Sequence, residues 1–140
     1  MIKSRSPARR SNSRPAAAAA ELAVLLPFLV LLLVLCTDFA RVFYFYVAVT
    51  NCARNGALWA SDPVAKTTSP YATLDQAVAA DSSGLSLQSA TSNTGTDANG
   101  NAYVQVTVSY NASLLTSYLG FGSIKITRTV QMRQAPSVPN

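Results

Sequence analysis

The chain has 140 residues, a formal net charge of +5 and no histidine. This length leaves room for one small domain beside a membrane segment. Five of the eleven Lys and Arg residues lie within residues 1–14. From residue 21 onward the chain has six basic and six acidic residues, so that their formal charges cancel. That balance argues against a nucleic-acid-binding face, and the lack of histidine excludes histidine-based acid/base catalysis and histidine metal ligands.

A polar leader is followed by a long apolar run. Residues 1–15 are basic and interrupted by Pro7 and Pro15, and residues 22–37 form an uncharged run of sixteen, LAVLLPFLVLLLVLCT. At about 1.5 Å per helical residue this run is about 24 Å long, and its flanks extend it beyond the roughly 30 Å of a bilayer core. Because basic residues beside such a run stay in the cytoplasm, we predict a single-pass membrane protein.

In this topology the N-terminus is cytoplasmic and everything after Tyr46 is extracytoplasmic. A nucleic-acid-binding arm is the other interpretation of the basic leader, but the membrane segment that follows directly disfavours it. Three fates remain for the leader: a cleaved signal peptide, an uncleaved anchor, or a leader removed by a different peptidase. The exit of the run, VLCTDF, lacks a small-x-small cleavage site, and Leu35 does not suit lipidation at Cys36.

The helix is predicted to continue outside the bilayer as a stalk that ends near Trp59, before Asp62 and Pro63. Apolar residues recur there every three or four positions: Phe39, Val42, Phe43, Tyr46, Val49, Ala53, Ala57 and Ala60. Cys36 and Cys52 would stand about 24 Å apart on this helix, too far for an intrachain disulfide. Cys52 either cross-links two subunits or serves as a small apolar residue.

Four further side chains of the long helix are candidates for assembly contacts. Glu21 precedes the apolar run, where a carboxylate is costly unless it meets a cation or sits solvated at headgroup level. Pro27 removes one backbone hydrogen bond and predicts a kink. Asp38 and Arg41, three residues apart, share a helix face and are expected to pair, either with each other at the interface or between packed subunits. The aromatics of residues 39–46 suit the outer membrane surface.

The C-terminal part predicts a small α+β domain. Residues 63–70 are expected to form a linker and residues 71–80 a short helix. Alternating apolar and polar residues predict strands over 85–89, 102–110 and 124–132, and Asn99-Gly100 predicts a hairpin turn. Three antiparallel strands would pack on the outer half of the long helix. Five apolar residues between the last two strands would cover the core or contact a subunit: Leu114, Leu115, Tyr118, Leu119 and Phe121.

These features combine into a specific pattern over residues 14–60. Small residues follow the basic leader, Glu21 stands alone before the Pro-containing apolar run, and the sequences DFAR and TNCARNGA follow. The pattern resembles the TadE-like family, pseudopilins of the tight-adherence (Tad, Flp) pilus machinery. The fold class is therefore an α+β membrane protein, with a leader over 1–16, a transmembrane and stalk helix over 17–60, and an extracytoplasmic domain over 61–140.

The resemblance implies a location in the bacterial inner (cytoplasmic) membrane, and it implies processing and partners. It implies cleavage by a prepilin peptidase between Ala16 and Ala17, which makes Glu21 the fifth mature residue, although Ala16 stands where the family prefers Gly. It also implies that Glu21 pairs with the new amine of Ala17 of an adjacent subunit. The implied partners are the lipid bilayer, the major pilin, other pseudopilins, and the secretion platform with its ATPase, with oligomerisation through the N-terminal helix.

Catalytic motifs are missing from the sequence. It contains no Gly-rich loop with a Lys, no G-x-S-x-G and no paired Cys motif, so we expect no catalytic residues, no metal site, no cofactor and no enzymatic activity. The leading functional hypothesis is a structural pilus subunit. The alternative is an extracytoplasmic binding domain for which the helix is only a tether.

Overall fold

The computed structural model describes residues 13–120 and 122–136. It contains three α-helices, three strands and one 3-10 helix, which follow one another along the chain. Their bounds are α1 Ser13–Ser61, α2 Pro63–Thr68, α3 Leu74–Ala79, β1 Ser89–Thr96, β2 Ala102–Ser113, the 3-10 helix Leu115–Leu119 and β3 Ser123–Arg133. This confirms the predicted α+β fold with one long N-terminal helix. The chain divides into two compact units, Met1–Cys36 and Thr37–Asn140.

The described part of the first unit is helical and apolar on every side. Its large apolar side chains are exposed: Leu22, Val24, Leu25, Leu26, Phe28, Leu29, Val30, Leu31, Leu32, Leu33 and Leu35. Helix Ala16–Ser61 is long and apolar enough to cross a membrane, as judged by length and composition. A helix that is apolar all round needs an apolar environment on all sides, which water does not provide.

The second unit contains a three-stranded antiparallel sheet in the order β1-β2-β3. On the central strand β2, Val106 lies opposite Ser92 of β1 and Val130 of β3. The side chains of Val104, Val106 and Val108 are fully or almost fully buried, while the residues between them are only half-buried. The strict alternation of β2 therefore gives the sheet one face that is directed at a core.

The core forms between that face of the sheet and the outer half of α1. From the helix it receives small residues at intervals of three and four, namely Val49, Cys52, Ala53 and Ala57. Gly56 lies at the closest approach: a Cβ there would stand 2.6 Å from Val78 Cγ2 and 3.1 Å from Val106 Cγ1. Small side chains on the helix thus allow α3 and β2 to pack directly on its backbone.

Ala57, Ala53 and Val49 of the predicted apolar stripe are buried, but Phe39, Phe43 and Tyr46 are exposed to 76%, 62% and 42%. The helix turns other residues inward at this level, because Phe45 packs against Tyr110 with the ring centroids 5.1 Å apart. The predicted stripe therefore meets the core with Val49, Ala53 and Ala57, while these aromatics stay exposed, as expected of residues assigned to the outer membrane surface. Their i, i+4 spacing places them on one face, and that face is not the one that meets the sheet.

Two local predictions are also wrong. Residues 63–70 contain helix α2 rather than only a linker, because the Asp62 carboxylate accepts hydrogen bonds from the amides of Val64 and Ala65, both at 2.9 Å, and Pro63 occupies the first turn. Residues 85–88 are irregular and the strand begins at Ser89. Leu87 packs against the core from outside the sheet, so its apolar character reflects burial without strand pairing.

The predicted Asn99-Gly100 turn joins β1 to β2. The Asp97 carboxylate accepts hydrogen bonds from the amides of Asn99 at 2.9 Å and Asn101 at 2.7 Å. Gly100 has a φ of 80°, in the left-handed region that a residue with a Cβ adopts only under strain. The connection is longer than a two-residue hairpin, and Asp97 organises it.

We predict that Gly56→Val lowers the free energy of unfolding by about 1–3 kcal/mol, the usual cost of overpacking a filled core. The valine would need space that Val78 and Val106 already occupy. Urea unfolding of the detergent-solubilised chain, followed by the fluorescence of the single tryptophan, Trp59, measures the change.

Arg54→Val is the matched control, since it introduces the same residue on an exposed position of the same helix. It should change stability by less than about 0.5 kcal/mol. Equal stability of Gly56→Val and Arg54→Val would contradict the close packing at Gly56.

Candidate functional site

The first group of predicted site residues lies on the apolar unit. Ala16, Ala17 and Glu21 are exposed and belong to α1. Among the residues that the structure describes, none forms an ion pair with Glu21. Glu21 is thus a single acid at the start of an apolar helical surface, and its carboxylate is accessible to a partner.

Pro27 lies inside α1, which continues through it. Proline has no N–H to donate to the carbonyl four residues earlier, that of Ala23. The carbonyl oxygen of Ala23 therefore does not receive the hydrogen bond that a helix normally donates from the residue four positions later. Whether Pro27 bends the helix in an assembly stays a prediction.

The second group of site residues lies where the apolar run ends. The side chain of Asp38 is only 8% exposed, and Arg41 Nη1 lies 3.9 Å from its Oδ1 atom. At this distance, with an Arg side chain that is 37% exposed, the ion pair is weak. Asp38 and Arg41 do share a helix face, but the ion pair is not what holds Asp38.

The 3-10 helix supplies the stronger contacts to Asp38. Leu115 N donates to Asp38 Oδ1 at 2.7 Å, and Thr116 donates to Oδ2 twice, from its amide at 2.9 Å and from its hydroxyl at 2.8 Å. Asp38 thereby occupies free amides at the beginning of this short helix, as a capping carboxylate does. We call this set of contacts the Asp38 clamp; it joins α1 to a segment 77 and 78 residues later in the chain.

The clamp also sets the charge state of Asp38. Burial acts to raise the pKa of Asp38, but the hydrogen bonds from the Thr116 and Leu115 amides and the Thr116 hydroxyl, with the nearby Arg41, outweigh it and hold the pKa below its ordinary value. The ionised carboxylate therefore stabilises the folded chain.

An exposed apolar groove runs along α1 beyond Asp38. It has a volume of about 270 Å³ and is lined by Phe39, Val42, Phe43 and Tyr46. The guanidinium carbon of Arg128, from β3, lies 4.5 Å from the centroid of the Tyr46 ring. This side of the helix combines aromatic surface with a cation, so it is not an ordinary solvated face.

Cys52 has no exposed surface and lies in the core, whereas Cys36 is exposed; both thiols are free. Burial, with a smaller contribution from Asp81, raises the pKa of the Cys52 thiol. In this fold Cys52 therefore acts as a small core residue, and it does not present a thiol for cross-linking two subunits.

The predicted site residues thus fall into two sets. Ala16, Ala17, Glu21 and Pro27 belong to the first compact unit, and Asp38 and Arg41 to the second. Sequence analysis missed the role of Thr116. A hydroxyl residue after a pair of leucines carries no local signal for a contact with an aspartate in the N-terminal helix.

Comparison with known proteins supports the resemblance inferred from the sequence. Residues 16–58 match the family model described as TadE-like protein, which confirms the resemblance over this segment. No curated protein and no solved structure shows significant similarity to the chain. The match ends within α1, so the sheet domain has no counterpart in these comparisons.

We predict that Asp38→Asn lowers the urea midpoint at neutral pH and weakens the acid dependence of stability. A carboxylate with a depressed folded pKa stabilises the fold above its unfolded pKa, and this contribution is lost as the pH falls through the folded value. Urea titrations between about pH 7 and pH 3 bracket the ordinary carboxylate range. Asp97, whose pKa is lowered mainly by the Asn101 amide, should leave a residual slope.

Thr116→Val is the control for this experiment, because it removes one hydroxyl donor and leaves both amide donors in place. It should lower the midpoint by less than Asp38→Asn and keep most of the acid dependence. An Asp38→Asn variant with the same pH profile as the unmodified chain would show that the clamp does not hold the carboxylate in its ionised form.

Proposed function

We propose that this protein is a pseudopilin-like structural subunit of a Tad/Flp-type adhesion pilus or a related secretion apparatus, anchored in the bacterial inner membrane by α1. Its TadE-like segment points to a component associated with the Tad pilus. The observation that carries the proposal is the position of that segment: it coincides with a helix whose large apolar side chains are exposed on all sides over residues 22–35.

Exposed apolar surface of this kind is costly in water. Burying one Leu, Val or Phe side chain fully is worth about 1.5–3 kcal/mol, and more than ten such side chains are exposed on the first unit. Lipid and neighbouring helices are the two environments that cover a helix on every side. We propose that both do so here, with lipid before assembly and other subunits within the assembled structure.

Glu21 is the polar group that would make such packing specific. Within the apolar boundary a carboxylate costs up to about 2.5–3.5 kcal/mol on insertion scales, so a partner cation lowers the free energy of the packed state. We propose that prepilin peptidase cleaves between Ala16 and Ala17 and that the new amine of Ala17 on an adjacent subunit is this cation. Pairing between chains would fix how far neighbouring helices are displaced along one another.

In this proposal the sheet domain is a structural head without enzymatic activity. A concavity of about 310 Å³ lies beside Trp59, and it bears on the alternative that the domain binds a ligand and the helix is a tether. The Trp59 indole already donates to Tyr71 O at 3.0 Å, and Lys66 Nζ lies 4.0 Å from the ring centroid. Because internal partners use both recognition features of Trp59, the structural role is favoured.

We predict that the protein extracted from membranes begins at Ala17. Loss of residues 1–16 removes the five basic side chains of the leader and leaves a mature chain with balanced side-chain charges. Intact-mass spectrometry with N-terminal peptide sequencing measures the start. Chains that begin only at Met1 or Ile2 in cells with an active prepilin peptidase would contradict processing.

We also predict that Glu21→Gln abolishes assembly while membrane insertion persists. Removing one partner of an ion pair in an apolar environment costs about 3–5 kcal/mol, so co-purification with the other pilus subunits should fall at least tenfold. Asp75→Asn is the control, since it removes one negative charge from an exposed position of helix α3. Unchanged co-purification of Glu21→Gln would favour the tether function.

A further inference from the structure

We propose that the end of the sheet domain nearest Asp38 is itself a lipid-binding surface, which lies in the headgroup region of the bilayer from which α1 emerges. We call this surface the rim and define it by Phe39, Arg41, Leu115, Ile124 and Lys125. The inference rests on the proposed insertion of residues 22–37 and goes beyond it, because it assigns membrane contact to residues more than 70 positions later in the sequence.

The hydrogen bonds of the second unit place the rim residues at one end. Asp38 is the first charged residue after the apolar run, and its carboxylate holds Leu115 and Thr116. In the sheet register Ala112 of β2 lies opposite Ile124 of β3, so the start of β3 is next to the end of β2 that leads into the clamp.

Backbone hydrogen bonds also define which residues lie at the opposite end of the sheet. Ala135 N donates to Ser61 O at 2.8 Å, and Gln134 N donates to Ala102 O at 2.9 Å. The end of α1, the start of β2 and the end of β3 therefore lie together. The rim is at the other end of the domain, where the chain joins the apolar run.

Apolar side chains at the rim remain outside the core. Leu115 is 41% and Ile124 43% exposed, although the neighbouring Ile126 on β3 is 6% exposed and belongs to the core. Phe39, next to the clamp residue Asp38, is also exposed. Exposed Leu, Ile and Phe side chains at the point where a chain leaves an apolar helix suit the boundary between headgroups and acyl chains.

The charges at this end suit the surface of an anionic bilayer. Arg41 and Lys125 belong to the rim, and Arg128 lies over the Tyr46 ring next to it. The acid at this end, Asp38, already accepts three hydrogen bonds from the 3-10 helix. Juxtamembrane Lys and Arg side chains are attracted to acidic lipids, and their aliphatic parts lie along apolar surface while the charged ends reach phosphate.

A bilayer fits the rim better than a second copy of the same surface does. In a twofold interface the rim would meet itself, which brings Arg41 and Lys125 of one chain toward the same cations of the other, and like charges across an interface are unfavourable. The rim is also continuous in sequence with the apolar run through Thr37 and Asp38. Lipid is therefore the occupant that both the charge and the connectivity favour.

The test uses the full chain in vesicles of phosphatidylethanolamine and phosphatidylglycerol, with a single environment-sensitive fluorophore (NBD) attached to an introduced cysteine. In a Cys36→Ser background, buried Cys52 stays unlabelled, and the label is placed by Leu115→Cys or Ile124→Cys. Gln131→Cys, on an exposed position of β3, is the control within the domain, and Phe28→Cys is the control for the membrane helix. Spin-labelled lipids that carry the quencher near the top of the acyl chain report lipid contact.

The expected result is a blue-shifted emission and clear lipid quenching at positions 115, 124 and 28, with neither at position 131. Urea midpoints of the unlabelled variants, read from the fluorescence of Trp59, verify that Leu115→Cys and Ile124→Cys are folded. Agreement of emission and quenching between the two labelled positions shows that the result is not a local effect of either substitution. Emission that depends on the proportion of phosphatidylglycerol would support the contribution of Arg41 and Lys125.

Two results would overturn the inference while leaving membrane anchoring intact. Quenching at position 28 without quenching at 115 and 124 would place the rim in water. A blue shift at 115 that depends on protein density in the vesicle and is insensitive to spin-labelled lipid would assign the rim to subunit contact. Absence of quenching at all positions, including 28, would reject the membrane anchor and with it both proposals.

Discussion

The contact between the central strand β2 and the outer half of α1 supports everything else in the second unit. A three-stranded sheet is independently stable only when one of its faces is covered, and here α1 covers it together with Val78 of α3. Val104, Val106 and Val108 provide the sheet side of the contact, and the fully buried residues that α1 provides are no larger than valine. The absence of a side chain at Gly56 lets Val78 and Val106 approach the helix backbone together, so the domain is fastened to its stalk along several turns.

The same helix has two different kinds of surface, and the change occurs at Asp38. Before this residue the exposed side chains are apolar all round; after it only one face is buried, and polar residues such as Asn51 and Arg54 occupy another. At Asp38 the 3-10 helix of the domain is hydrogen-bonded to α1 through two backbone amides. A carboxylate suits this position because two free amides and a hydroxyl can share its two oxygens.

The sequence was informative where structure follows from local pattern. The uniform run of residues 22–37 predicts a helix by length alone, and the alternation over residues 102–110 and 124–132 predicts two of the three strands, which extend to 102–113 and 123–133. Strand β1, SATSNTGT, has no apolar alternation; only Ala90 of this strand packs against the core, and the strand is held by its pairing with β2. Leu85 and Leu87 therefore gave a false strand signal just before it.

The candidate site was predictable only in part, for a related reason. Glu21, Pro27, Asp38 and Arg41 stand out because each is unusual in or beside an apolar helix, whereas Thr116 is an ordinary residue until the fold brings it to Asp38. The sequence also could not tell which face of α1 is buried near Phe39 and Phe43, because aromatics at a spacing of four fit a core, a lipid interface or a partner equally well. The position of the sheet excludes the core for Phe39 and Phe43, which remain exposed.

The composition of the domain surface bears on how such a subunit would associate. An edge strand offers unpaired backbone groups to any other strand, and proteins limit that hazard with polar or short edges. Here β1 is Ser-, Thr- and Asn-rich, and the outer positions of β3 carry Lys125, Thr127, Thr129, Gln131 and Arg133. Association through either sheet edge is therefore disfavoured, while the exposed large apolar side chains are most numerous on residues 22–35. Under the proposed function, this distribution would direct subunit contacts to the apolar helix, so that the head could differ between subunits without changing how the helices pack.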